Sequence, residues 1–538
     1  MARMHAGHEP IVRTWSEPPD GTPDWCDACW IAAPPQPAPA GTRLGIETAW
    51  FRLRMPCGGA GTLRIRISAN TRFKLFLNGK PIAAGPRKGD AARHFYSLLE
   101  TDGPFLDGEN DLRIQVVSFP PREAWGEGNI GPSWAVGNAA GPCLLVAGAW
   151  YPVGAAQPAP VGVTQPASVG AAQPAPVGVA QPASAEDAFD VTTGRAAWET
   201  MADDAITWKL FPQSFWHGAL EVSDGARAAA IRASGDGENG WKPALVRWPV
   251  APSPYGVVPV FPLVPDPLPP MRDEPGSFHR ILPARADDLP QMAFMEGVAV
   301  VPARSRMQVE LDAKVLRTAW PQLEMHGGAG SRIVIRYAEG YARTGADGRP
   351  EKGIRDDWTC GELAGHEDVC LPAGGLDVYE PFWFRVFRFV RIEVETADEP
   401  LTLRMPVFRE TGYPLAVGSA ITSSADWVAL TFEINVRTLQ RCMQETHVDC
   451  PYYEQMQYTL DTRLQILFTH VLGSDVRLAR LAMEDYHASL MPEGMIQSRC
   501  PSGDPQVIPP FAPAWIQMLE DHWLQTGDAE VFRRYRST

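Results

Sequence analysis

Asp449-Cys450-Pro451-Tyr452-Tyr453-Glu454-Gln455-Met456-Gln457-Tyr458-Thr459-Leu460-Asp461 is the stretch on which the reading of this chain turns. It holds three carboxylates and three tyrosines, and no Lys or Arg. Asp449 stands where a helix N-cap would, and Pro451 suits a first helical turn, where a missing N–H costs nothing. A helix running on from there puts Glu454, Tyr458 and Asp461 at i, i+4 and i+7, on one face. Leu460, Leu464, Leu467 and Val471 form a second stripe about 100° round, expected to be the buried one. Ordinary exposed helix faces interleave acids with Lys or Arg. Acceptors and flat rings without counter-charge suit a polyhydroxylated ligand instead. The competing reading is a solvated helix face with ordinary acids.

Working outward, the text around this stretch is helical. Ser423, Ser424 or Asp426 is expected to cap a helix in which Trp427, Leu430, Ile434 and Leu439 recur at helical spacing. Helical runs follow over 475–489 and 510–526, and Gly527-Asp528 separates the latter from a last run to Thr538. Upstream the period becomes two. Ile333, Ile335 and Tyr337 alternate with Arg and Val, and Val386, Arg388, Val390, Ile392 and Val394 line one face of a strand. Further upstream Phe51, Leu53 and Met55 alternate with Arg52 and Arg54, and Leu63, Ile65 and Ile67 with Arg64 and Arg66. Asn78-Gly79 is the dipeptide that a type I′ hairpin turn favours. Short alternating strands with turn signals predict antiparallel β-sandwiches.

The division read from these shifts is a Pro-rich arm over 1–44, a first β-sandwich over 45–250, a connector over 251–277, a second β-sandwich over 278–412, and a helical region over 413–538. The first β unit is interrupted by two near-identical copies, 153–168 and 169–184, rich in Ala, Pro, Val and Gly. They have no charge and no aromatic residue, so they cannot build a core and read as an extended spacer looped out of that unit.

Composition narrows the function. A net charge of −15 over 538 residues, with no basic cluster, speaks against nucleic acid. Eighteen Trp suit either sugar-binding platforms or β cores. The N-terminus shows no apolar signal region and no run is long enough to span a membrane, so a cytoplasmic protein without a membrane partner is expected. Nine scattered Cys then read as reduced thiols. Cys26-x-x-Cys29 is a lone pair without two further zinc ligands at motif spacing, and there is no phosphate-binding glycine loop. Neither a metal nor a cofactor is expected.

The motif Asp449-Cys450-Pro451-Tyr452-Tyr453-Glu454-Gln455 with Asp461-Thr462-Arg463 resembles bacterial α-L-rhamnosidases of glycoside hydrolase family 78, in the six-hairpin glycosidase superfamily. Ser489-Leu490-Met491-Pro492-Glu493-Gly494, Arg499-Cys500-Pro501-Ser502 and Thr526-Gly527-Asp528 extend the likeness, and Tyr379-Glu380-Pro381-Phe382 supports it upstream. The resemblance implies two β-sandwiches followed by the first helical hairpins of an (α/α)6 barrel. It implies inverting release of terminal α-L-rhamnose from a rhamnose-containing glycoside or oligosaccharide. By motif position, Glu454 would be the general acid, with Asp449 and Asp461 holding sugar hydroxyls beside Tyr453 and Tyr458. Many members have Arg and Trp where Tyr453 and Tyr458 stand, which bears on substrate more than on reaction class.

Physical chemistry agrees with these roles. Inversion needs an acid of raised pKa and a base roughly 6.5–9.5 Å away across the sugar. Glu454, with two tyrosines and two like-charged neighbours, is set for a raised pKa. On a continuous helix Glu454 and Asp461 lie about 10.5 Å apart along the axis, which fits Asp461 as a binder and not the base. In the family the base is a distant downstream Glu, which this chain is expected not to encode. Residues 413–538 hold roughly five or six helices at ordinary lengths, half of what six hairpins need. A truncated, inactive hydrolase with exposed apolar helix faces is therefore expected. The alternatives are a non-catalytic carbohydrate-binding protein and a six-hairpin glycosidase for another sugar. Oligomeric state is left open.

Overall fold

The computed structural model describes residues 12–14, 25, 27–34, 46–90, 92–103, 105–119, 140–154, 188–209, 220–233, 240–250, 260–285, 288–345, 350–359, 361–503 and 505–538. Cys26, most of the 1–44 arm, nearly all of the 153–184 repeat and part of the connector lie outside these residues.

The alternating text before residue 250 forms two sheets. One runs in the order Val12–Thr14, His94–Thr101, Gly61–Asn70, Cys143–Pro152, Cys29–Ala32, Leu245–Pro249. The other runs Lys242–Pro243, Glu199–Ala202, Glu47–Met55, Asn110–Ser118, Arg72–Leu77, Lys80–Gly85. Phe51, Leu53, Phe73 and Ile114 of the second join Leu63, Ile65, Leu144 and Val146 of the first in one core. Each alternate residue therefore leaves water, which is what fixes the register of a half-buried strand. The hairpin at Asn78-Gly79 has φ of 51° and 77°, both left-handed as a type I′ turn requires. Strands Cys143–Pro152 and Phe189–Asp190 pair antiparallel on either side of the repeat.

A third sheet is organised by the strand Arg306–Gly327, whose register shifts between Asp312 and Arg317. It pairs with Arg385–Glu395, Leu376–Tyr379, Leu401–Arg404 and Val407–Glu410. Val309, Leu311, Leu323 and Met325 from its two halves meet Ile335, Phe387, Ile392 and Leu403 in a second core. Ile206–Lys209 and Leu220–Asp224, expected with the earlier strands, hydrogen-bond in this sheet instead. Alternation reports one covered face but not which sheet covers it. Among the described strands, pairing is antiparallel except for Leu220–Asp224 with His366–Leu371 and Leu263–Pro265 with His94–Thr101.

Helices close the chain: α1 (Gly225–Ala233) among the strands, then α2 (Asp426–Arg441), α3 (Thr459–Leu472), α4 (Arg477–Ala488), α5 (Ala512–Thr526) and α6 (Glu530–Tyr535). Among the described residues no helix is long and apolar enough to cross a membrane, and seven cysteines are free thiols.

Three local expectations are corrected. Residues 451–458 are not helical, since Gln455 has φ +55° and α3 begins only at Thr459. No side chain caps α2, although the Ser423 hydroxyl accepts the Ala425 N–H. The expected buried stripe of α3 faces mostly outward: Leu460, Leu464 and Val471 are exposed and Leu467 half-buried, while Thr459, Thr462, Ile466, Thr469 and Leu472 are buried. Small threonines allow α3 to approach α4 and α5 closely, and Thr462 bonds to the Tyr486 hydroxyl at 3.0 Å. Trp427, Leu430 and Ile434 of α2 and Ile516 and Leu524 of α5 are exposed too, an unusually apolar surface.

Candidate active site

The acidic stretch forms a turn closed on itself between α2 and α3. Asp449 donates its N–H to the Met456 carbonyl at 2.8 Å, and its carboxylate accepts the Met456 N–H at 3.0 Å. Asp449 therefore clamps the loop and does not cap a helix. The left-handed Gln455 turns the backbone back, and its N–H reaches the Cys450 carbonyl at 3.2 Å. The next residue but one, Gln457, is fully buried. Its amide donates to Asp485 at 2.8 Å and to the Cys500 carbonyl at 2.6 Å. The loop is thereby tied to α4 and to the 495–506 segment.

The turn brings the three carboxylates within electrostatic reach of one another. Burial lifts the Asp449 carboxyl to about 6, with the Glu454 charge adding to the rise. Burial also raises Asp461, again with a contribution from Glu454. The Tyr458 hydroxyl is pushed up to about 12, by burial first and by the nearby Glu454 carboxylate second. Arg499 donates to the other side of the same hydroxyl at 3.4 Å. Glu454 and Asp461 are half-buried and Tyr453 is exposed, so the group opens to solvent. The helix-rise separation of Glu454 and Asp461 no longer applies, because Glu454 is not on the helix.

The tyrosines separate by role. Tyr452 is structural: its hydroxyl donates to the Tyr337 carbonyl at 2.7 Å and accepts the His366 N–H at 3.1 Å. Tyr453 carries Lys352 at 4.6 Å from its ring centre. Tyr458 lies edge-on to Phe511 at 6.4 Å.

Sequence reasoning missed the cations around this loop, because they come from far along the chain. Lys88, buried and lowered by that burial to about 8, donates to the Gln455 carbonyl at 3.3 Å. Arg72 holds Glu445 through bonds of 2.6 and 2.8 Å, and Glu445 also accepts the Lys88 N–H at 2.7 Å. Arg93 reaches Asp485 at 2.9 Å. The N-terminal sheets thus brace the acidic loop, and no local sequence signal announces it. Among the described residues no cluster of His, Cys, Asp and Glu is arranged to hold a metal.

A sheet-rich body thus braces an open cluster of carboxylates and tyrosines beside the helices that close the chain. Residues 417–537 match the family model of the bacterial alpha-L-rhamnosidase 6 hairpin glycosidase domain. The fold of the chain is that of solved rhamnosidases. It is similar to the GH78 family rhamnosidase of Bacillus sp. GL1, with TM-score 0.67, 14% identity, and coverage of 94% of this chain and 68% of that one. It is similar to the α-L-rhamnosidase of Aspergillus terreus, with TM-score 0.64, 14% identity, and coverage of 96% and 52%. The Streptomyces avermitilis α-L-rhamnosidase complexed with L-rhamnose gives TM-score 0.56, 17% identity, and coverage of 91% and 41%. The chain therefore spans about half the length of two of these three proteins and about two thirds of the first. No curated protein matches it.

Proposed function

We propose that this chain carries the acid half of an inverting α-L-rhamnosidase site. The observation that supports it is the gathering of Asp449, Glu454 and Tyr458 on one open turn beside Asp461 in the first turn of α3, inside the segment that matches the rhamnosidase domain. Glu454 is the general acid, half-buried beside Tyr458. Asp449 and Asp461 bind the sugar hydroxyls, and Tyr453 and Tyr458 border the ring. The chain is organised as two β-sandwiches before the first hairpins of an (α/α)6 barrel. It needs no cofactor.

The base that activates water on the opposite face of the sugar is not assigned to any described residue. The same proposal has residues 1–538 bind L-rhamnose without hydrolysing it. Titration of L-rhamnose into the whole chain tests the binding half. Asp449→Asn and Asp461→Asn each weaken binding by about tenfold, the scale of one charged hydrogen bond. Glu454→Gln leaves it within about threefold. Binding indifferent to both aspartates sinks the reading. Turnover of an aryl α-L-rhamnoside, abolished by Glu454→Gln, would remove the claim of inactivity and keep the acid.

A further inference from the structure

The segment between the strands Lys80–Gly85 and His94–Thr101 is unlike an ordinary connection. Loops normally run over the surface, yet Pro86, Arg87, Lys88 and Gly89 are all buried. Lys88 is only 3% exposed, and a lysine is almost never covered so fully unless it is given partners. Neighbours hold the segment in place. Arg72 donates to the Pro86 carbonyl at 2.7 Å, Arg87 donates to Asp266 at 2.9 Å, and the Lys88 N–H donates to Glu445 at 2.7 Å. The Lys88 side chain thereby crosses from the first β unit to the helical region, where its ammonium donates to the Gln455 carbonyl at 3.3 Å.

Gln455 is one of two places where this segment grips the acidic turn. The other is Gln457, whose amide is held by Asp485, itself held by Arg93. Met456 lies between the two grips, and both of its backbone groups bond to Asp449. Glu454 directly precedes Gln455. Lys88 therefore acts on both carboxylates through the backbone that carries them. Its bond is charge-assisted, roughly twice as strong as a neutral one. Burial lowers Lys88 to about 8, while the facing Glu445 and Asp485 favour its charge and Arg72 and Arg87 oppose it. Cys500 also faces it, its thiol pushed far up by burial. The bond thus loses its charge within an accessible pH range.

We infer that Lys88 is a positioning residue for the acidic turn: its ammonium holds the Gln455 carbonyl and so fixes where Asp449 and Glu454 stand relative to the sugar. The inference rests on the reading of that turn as a sugar site, and it makes sugar affinity depend on a cation buried in another unit of the chain. Two consequences have opposite signs. Lys88 holds its proton less tightly in the fold than in the unfolded chain, so its contribution to stability grows as pH rises from about 8 toward the ordinary 10.5. Sugar affinity falls over the same interval. A lysine with a structural role alone would move affinity and stability together.

Calorimetric titration of the whole chain with L-rhamnose between pH 7 and 10 tests it. Asp449, near 6, and Tyr458, near 12, titrate outside that interval. The parent Kd is expected to rise about tenfold across it, the scale of one charged hydrogen bond. Lys88→Met keeps the length without the charge. It is expected to bind about tenfold more weakly than the parent at pH 7 and equally at pH 10, while the parent gains on it in thermal midpoint over the same range. Hydrogen exchange of the 449–458 backbone at pH 7, read without sugar, should be at least about tenfold faster in Lys88→Met. A parent Kd flat from pH 7 to 10, or binding weakened in Asp449→Asn but unmoved in folded Lys88→Met, overturns the inference and leaves the sugar reading standing. An equal loss in Lys88→Met at pH 7 and pH 10 marks a structural role alone and overturns it too. Absence of L-rhamnose binding by the parent sinks the sugar reading, and the positioning of the turn by Lys88 then stands or falls on the exchange of those amides.

Discussion

Two groups of carboxylates in this chain are built on opposite plans. In the third sheet Glu221 and Asp368 are buried with Arg385, all three 2% exposed or less. Arg385 donates to Asp368 at 2.7 and 2.9 Å and approaches Glu221 at 3.4 Å. Backbone N–H groups fill much of what remains, Phe382 to Glu221 at 2.6 Å and Glu221 to Asp368 at 2.9 Å. At the acidic turn, Glu454 raises both Asp449 and Asp461, and none of the three has an ion pair to Lys or Arg among the described residues. The first group spends its acceptors on the fold. The second keeps acceptors open toward solvent at the cost of mutual repulsion, which is how a site differs from a structural knot.

The comparison breaks most visibly at Arg385. Arg385→Leu leaves two carboxylates buried without a cation, and a loss of about 3–5 kcal/mol is expected. Urea unfolding at pH 7 measures it. Burial already raises the Glu221 carboxyl although Arg385 lies beside it. Protonation therefore relieves the variant, and its deficit shrinks as pH falls. A deficit below about 1 kcal/mol would mean that the knot is dispensable.

Asp449 sharpens the comparison with the opposite sign. Its carboxyl is lifted by burial to about 6, above the ordinary 3.8. The contribution of this group to stability is full below pH 4 and is lost as pH rises through about 6. Asn stays neutral, and its side-chain carbonyl still accepts the Met456 N–H. Asp449→Asn is therefore expected to be more stable than the parent at pH 8 by about 1–2 kcal/mol, allowing for partial solvent exposure. The difference vanishes below pH 4. Unfolding curves at both pH values check it, and a variant less stable at pH 8 would show that the charge holds the turn.

The legible part of the molecule was what local pattern controls. Alternation at Phe51–Met55 and at Leu63–Ile67 marks strands because one face of each must leave water, and Asn78-Gly79 fixes its hairpin through backbone sterics. The acidic stretch was legible as a cluster but not in its shape. Helical spacing and the proline favoured a helix, whereas the bonds of Asp449 to Met456 and of Gln457 to Asp485 favour a turn. Those bonds need partners up to 28 residues away, and local propensity carries no information about them. The apolar stripe of α3 misled for a related reason: an amphipathic pattern gives two faces, but neighbours decide which is covered. Arg72, Lys88 and Arg93 were illegible as braces, because their carboxylates lie more than 350 residues on.

Lys352 tests whether the open group has borrowed a cation after all. Its ammonium lies over Tyr453 while also pairing with Glu339 at 3.7 Å. Both residues are exposed, so a double-mutant cycle of Lys352→Ala with Tyr453→Leu is expected to give a coupling of about 0.5 kcal/mol. A coupling several times larger would make Tyr453 a residue braced by Lys352.

Glu454→Gln is the smallest expected change in stability and the closest test of the contrast. Glutamine keeps the size of the side chain and an acceptor oxygen near Tyr458, and no ion pair among the described residues is lost. Removing one negative charge also eases the repulsion felt by Asp449 and Asp461. The unfolding free energy should therefore stay within about 0.5 kcal/mol of the parent, or rise slightly. The same Glu→Gln change at Glu221 places an amide where Phe382 and Arg385 both donate, and costs more. Parallel urea curves on the two variants compare the same chemistry in the two settings. Should Glu454→Gln be the more destabilised of the pair, its carboxylate belongs with the structural acids, and the assignment of Glu454 as the general acid loses its physical basis.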